Sequence, residues 1–361
     1  MAMATSGGKV LIHAPYGNSN EAASAAAGQL GAQSLGIAAN LAQERQEDNS
    51  QVRFLNTNKD IVALESGQLD PARPNDFLFI GSQTNLLVYD VDQNADIFDY
   101  EIADGLNCLA FGKMRGIPDP LIVAGGDCSL TGFDMNAEEK FWTVTGDNAR
   151  AMQFMPWTNT DAQNELVVGS DDFAIRVFKG AELIFDINED AKVIDLQVVK
   201  MNVFGYALDN GTFGCYYGRK RLWKETKSAK VTSIAGMDFT VGDQMCLAVG
   251  FDNGTIEVRK HRTGELLCEV QLARQDNGQE NPVVKLFYYD YRMQGNKQIV
   301  AVGRNGLIQG YTVQVSNAQI QAQIQGEEKL VSNELLALNK RKIELQNKMR
   351  DLEGKQQEFW L

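Results

Sequence analysis

Apolar and polar positions along this chain alternate with a period of two over short runs, each bounded by Gly, Asn, Asp or Ser. That period belongs to half-buried strands rather than helices. The runs also recur. LFIGSQTNLLVYD (78–90), LIVAGGDCSLTGFD (121–134), LVVGSDDFAIRVFK (166–179), FGYALDNGTFGCYY (204–217), LAVGFDNGTIEVRK (247–260) and IVAVGRNGLIQGYT (299–312) share one layout, and AMATSGGKVLIHAP (2–15) is a weaker seventh copy. Each copy holds an apolar run, a small residue near its end, a short polar turn and an alternating run. The small residues are Ala4, Gly81, Gly125, Gly169, Ala207, Gly250 and Gly303, a repeat of roughly 44 residues. A further strand-like run precedes each hairpin (LNCLAFGKM, ARAMQFMPW, VIDLQVVK) and another follows most of them (DIFDYEI, EKFWTVT, ELIFDIN).

Four short strands in one such repeat is the arithmetic of a β-propeller blade. A single blade cannot bury both of its faces, whereas radially stacked blades cover one another, with the small residue allowing close approach. Residues 1–315 are therefore predicted to be an all-β, seven-bladed β-propeller. Residues 18–49, Ala-rich without a firm apolar stripe, read as a flexible insertion in blade one. The first copy begins at a second or third strand and the last ends at a third. The ring is thus expected to close imperfectly, or to need a strand outside this sequence.

After Val315 the period changes. Residues 316–326 read as a linker, and 327–361 (EEKLVSNELLALNKRKIELQNKMRDLEGKQQEFWL) are rich in helix formers and contain no proline. Placing Val331, Leu338, Leu345, Leu352 and Phe359 at heptad position d puts Leu335, Lys342 and Met349 at position a. These eight residues form the predicted partner-binding seam of an α-helical coiled coil. Lys342 in mid-seam selects register or partner at a cost in stability, and Glu334, Arg341, Lys348 and Lys355 at position g favour a hetero-pair. The competing reading is an amphipathic helix folded back on the propeller.

Composition narrows the chemistry. The 361 residues carry a formal charge of -13, so the basic face that nucleic-acid binding needs is not predicted. Five widely spaced cysteines suit buried thiols in a reducing compartment. No signal peptide or membrane-length apolar run is read, which points to a cytoplasmic protein. The two histidines, His13 and His261, have no ligand cluster in sequence. The acidic pair Asp171-Asp172 sits where other copies have Thr84-Asn85, Asn210-Gly211 and Asn253-Gly254, so it reads as a hairpin turn. Asn-Gly is the preferred two-residue hairpin dipeptide, in which both positions take positive φ. A calcium-binding propeller of the integrin type is the alternative. Its candidate loops hold Asp161 with Glu165, Asp238 with Asp243, and Asp290, none of which completes an alternating carboxylate run. No catalytic, cofactor or metal residue is assigned, and the chain reads as a non-enzyme without a cofactor.

The words IGSQTNLLVYDV (80–91), YEIADGLNCLAFG (100–112), FWTVTGDN (141–148), LVVGSDDFAIRVFK (166–179), FGYALDNGTFG (204–214), RTGE (262–265) and DYRMQG (290–295), in this order, resemble the N-terminal half of the Bardet-Biedl syndrome 2 family. Members are subunits of the BBSome, a coat-like complex that moves membrane proteins into and out of cilia. The resemblance implies a propeller followed by a coiled coil that pairs with the Bardet-Biedl syndrome 7 protein, in an assembly that includes the syndrome 9 protein. It further implies indirect contact with membrane-protein cargo and a place at the cilium, its basal body and centriolar satellites.

Overall fold

The computed structural model describes residues 1–5, 7–13, 52–156, 164–238, 245–275, 278–291, 295–312 and 341–342. Its described strands form seven antiparallel sheets in chain order, five of four strands and two of three. Within each sheet the strands follow one another up and down. Blade four shows the pattern: Ala149–Met155, Glu165–Ser170, Ala174–Lys179 and Glu182–Asn188, from the ring axis outward.

Burial follows radial position. The second strands, such as Phe77–Ser82, Pro120–Gly125, Glu165–Ser170 and Val203–Leu208, are buried at every residue because a neighbouring blade covers each face. Outermost strands such as Ala95–Glu101 and Leu266–Gln271 are mostly exposed. This explains why the second strands read as continuous apolar runs and the outer ones as mixed.

The core is divided rather than single. Six apolar clusters each span one boundary between consecutive blades, from blades one and two (Val10, Ile12 against Leu78, Ile80, Tyr89) to blades six and seven (Ala248, Val258 against Val283, Ile299). The small residues sit at these boundaries. A Cβ on Gly169 would lie 2.3 Å from Cγ1 of Val193 in blade five, and one on Gly250 would lie 2.7 Å from Cγ1 of Val283 in blade seven. What approaches is therefore the next blade's first side chain, not its backbone. At Gly303 the space is filled by Asn281 of its own blade region.

The two three-stranded sheets adjoin in the ring. Blade one has Ala2–Ala4, Lys9–His13 and Val52–Asn56, and blade seven has Val283–Tyr289, Gln298–Gly303 and Ile308–Tyr311. Aligned on the repeat, blade one supplies the second to fourth strands and blade seven the first to third. A contact between them joins Nδ1 of His13 to the hydroxyl of Tyr291. The insertion predicted at 18–49 lies outside the described residues. Of the cysteines, Cys108, Cys215 and Cys246 are buried as expected, but Cys128 and Cys268 are exposed, one on a turn and one on an outermost strand.

Candidate partner-binding surfaces

The acidic pair at the tip of blade four is the first candidate. Ser170, Asp171, Asp172 and Phe173 form a tight turn in which the Phe173 N–H donates to the Ser170 carbonyl at 3.3 Å. The matching turns are Leu208–Gly211 and Phe251–Gly254, closed by the Gly211 N–H to Leu208 at 3.2 Å and the Gly254 N–H to Phe251 at 3.1 Å. In register, and as the aligned repeats already have it, Asp172 corresponds to Asn210 and Asn253, not to the glycines after them. Each of these side chains accepts from the N–H two residues on, at 3.3 Å from Ala174, 3.0 Å from Thr212 and 3.0 Å from Thr255. Only the third loop residue has positive φ, Gly211 at 82° and Gly254 at 83°. These are three-residue loops with a left-handed last position, not the two-residue turns expected from Asn-Gly. Phe173, at φ 69°, occupies that left-handed position in blade four.

Asp171 points the other way, into the boundary with blade five. Arg150 donates to it from Nε at 3.0 Å and Nη2 at 2.9 Å, Asn148 from Nδ2 at 3.2 Å, and Lys192 of blade five pairs with it at 3.1 Å. The two hydrogen bonds from the Arg150 guanidinium hold its carboxyl down at about 2, against an ordinary 3.8. Asp172 is likewise lowered, with Arg176 and Ser170 outweighing its burial. Both carboxylates are neutralised by the chain's own cations: Asp171 fastens blade four to blade five, and Asp172 braces the turn of its own blade. A parallel device lies at the same boundary: Glu189, its side chain fully buried, takes both Nη2 contacts from Arg221 of blade five at 3.0 Å and a hydrogen bond from the Tyr216 hydroxyl.

Two of the carboxylates weighed for calcium have protein partners. Glu165 pairs with Nε of Arg115 at 3.0 Å, and Asp290 accepts the Gly295 N–H at 2.6 Å. Asp161 and Asp243 lie outside the described residues. Among the described residues no group of three His, Cys, Asp or Glu could hold a metal ion. His261 is buried with Nδ1 2.7 Å from the Met245 carbonyl oxygen, remote from His13 at the blade-one edge. Burial pushes the Cys108 and Cys246 thiols up to about 12, which keeps them protonated.

Of the predicted helical seam, Lys342 is described: it and Arg341 have α-helical backbone and are exposed. Val331, Leu335, Leu338, Leu345, Met349, Leu352 and Phe359 lie outside the described residues. No helix among the described residues is long and apolar enough to cross a membrane.

Comparison with known proteins adds what geometry alone does not. A family model described as "Ciliary BBSome complex subunit 2, N-terminal" matches residues 1–112, and one described as "Ciliary BBSome complex subunit 2, middle region" matches residues 151–259. A "BBSome complex member BBS2" of Danio rerio is 38% identical over 311 residues, covering 86% of this chain and 40% of the relative. The Homo sapiens relative of the same name is 35% identical over 311 residues with the same coverage. The chain thus spans about two fifths of the length of these relatives. Among solved structures, BBS1N in complex with ARL6DN, soaked with lead, aligns with a TM-score of 0.59 at 15% identity, over 73% of this chain and 82% of that one. A chain of a mitotic checkpoint complex aligns at 0.57 with 11% identity, over 74% and 80%. At such identities these two share the propeller fold alone.

Proposed function

The chain belongs to the family of BBSome complex subunit 2, and on that premise we propose that it is a non-enzymatic scaffold subunit of the BBSome, serving the traffic of membrane proteins to and from cilia. The supporting observation is that family similarity runs through the propeller, from residue 1 to residue 112 and again from 151 to 259. The chemistry agrees: Asp171 and the buried Glu189 spend their charge on the boundary between blades four and five, not on a substrate.

In this proposal the propeller offers rigid surfaces and the segment 327–361 offers the pairing seam of Val331, Leu335, Leu338, Lys342, Leu345, Met349, Leu352 and Phe359. Its partner is the Bardet-Biedl syndrome 7 protein, with the syndrome 9 protein and other BBSome subunits in the same assembly, at the cilium and its base. Two aspartates at d positions remove the apolar seam. Leu338→Asp with Leu345→Asp is expected to abolish co-purification with the syndrome 7 protein while the far-UV circular dichroism of the propeller stays unchanged. Retained co-purification of that double variant would refute pairing through this seam.

A further inference from the structure

The end of blades five and six opposite their Leu208–Gly211 and Phe251–Gly254 turns holds a groove of about 590 Å³, within the range of ligand-sized pockets. Its floor is apolar, from Met201, Val203, Leu222 and Tyr217, and Lys200 and Arg262 stand at its rim. Among the described residues no carboxylate lines it, although the chain as a whole is strongly acidic. Tyr217 is 55% exposed, an aromatic side chain left half uncovered beside an apolar floor.

The walls are fixed. Trp223 donates from Nε1 to the His261 carbonyl at 2.8 Å, and Arg259 donates from Nη1 to the Gly264 carbonyl at 2.8 Å, so the RTGE turn bearing Arg262 is held from both sides. The Gly218 N–H donates to the Asn202 carbonyl at 2.8 Å, which ties the turn beneath Met201 to the one after Tyr217. A groove already ordered when empty loses little entropy on binding.

The cations near the groove are of two kinds. Lys260, next to the lining residue His261, is paired with Glu265 at 2.8 Å, while Arg219 turns away to blade four, donating to the Ile184 carbonyl at 3.2 Å. Lys220, opposite Tyr217 in the strand register, and Arg262 form no hydrogen bond or ion pair among the described residues.

We propose that this groove docks an extended segment of a partner protein that presents a large apolar side chain flanked by carboxylates. The apolar side chain covers Tyr217 and the floor, and the carboxylates meet Arg262 and Lys220. Charge complementarity selects the acidic flanks. A lipid surface is disfavoured because the apolar atoms lie inside a concavity, where a bilayer does not reach, and the neighbouring Lys260 is already paired with Glu265. The proposal does not depend on the assignment to the BBSome.

The test pans a random dodecapeptide display library against the full chain, then measures the selected peptides, synthesised with a fluorophore, by anisotropy. Expected are sequences with a Phe, Trp or Leu between Asp or Glu residues, at least tenfold weaker on Lys220→Glu with Arg262→Glu and on Tyr217→Ala. Replacing the peptide's acids by lysine should restore binding to the charge-reversed variant. All three substitutions are at exposed positions, and unchanged thermal melting shows that the variants are folded. Selected peptides without acidic residues, or binding to the charge-reversed variant within twofold of the original, would overturn the proposal. So would co-sedimentation with phosphatidylcholine vesicles containing a fifth phosphatidylserine that is lost in the same variants, since the face would then belong to a lipid surface.

Discussion

Asp171 shows how an acidic residue can look like chemistry and act as a rivet. Its carboxylate is 4% exposed and shared between Arg150 of its own blade and Lys192 of the next. A carboxyl held below its unfolded value stabilises the native state through its charged form. That contribution is complete above about pH 4, where the unfolded carboxyl is also ionised, and is lost as pH falls towards about 2, where the native carboxyl finally takes a proton. Asp171→Asn is therefore expected to cost about 1–3 kcal/mol near neutrality, the range for hydrogen bonds to charged groups. The gap from the unsubstituted chain in urea unfolding should close between pH 4 and 2. A gap that stays constant across that interval would mean that shape, not charge, makes the contact. Arg150 and Lys192 keep nearly half of their side-chain surface in water, so neither is stranded by the change.

The hairpin of blade four differs from its relatives at one position. Its counterparts place Gly211, Gly254 and Gly306 in the left-handed region, where Phe173 also sits at φ 69°. For an L-residue that conformation costs about 1–2 kcal/mol, and the Phe173 ring is 43% exposed. Phe173→Gly removes the strain, while the freer unfolded chain returns part of the gain, about 0.5–1 kcal/mol. The expected outcome is a higher urea midpoint, by up to about 1 kcal/mol in stability, with the Glu189 N–H to Phe173 carbonyl bond at 2.8 Å kept. A lower midpoint would show that the ring's contacts outweigh the backbone. The same residue explains a limit of sequence reading. Strand positions were legible because the inner strands, covered on both faces, read as continuous apolar runs, as in Pro120–Gly125. The left-handed conformation of Phe173 was not, because blade four has no glycine there to mark it. The partners of Asp171 were also hidden: Arg150 and Lys192 lie about 20 residues away on either side, and only the stacking of blades brings them to it.

At the scale of the ring, stability is a sum over blade boundaries, since each blade touches its neighbours and each apolar cluster spans a single boundary. Among the described residues, the boundary between blades three and four buries thirteen in its cluster, that between blades four and five another thirteen, and that between blades one and two five. Blades one and seven each contribute three described strands and meet through polar side chains, His13 and Tyr291. The sequence repeat anticipated this unequal ring, because the copies at its two ends cover different strands of the blade. Sub-global opening begins where the least apolar surface is buried. Amide hydrogen exchange should therefore be fastest in Lys9–His13 and Ile308–Tyr311 and slowest in Glu165–Ser170 and Val203–Leu208, whose residues are all buried. Mass spectrometry of peptides spanning these four strands decides the matter. Equal protection throughout would mean that the ring opens as one unit, whatever the inequality of its boundaries.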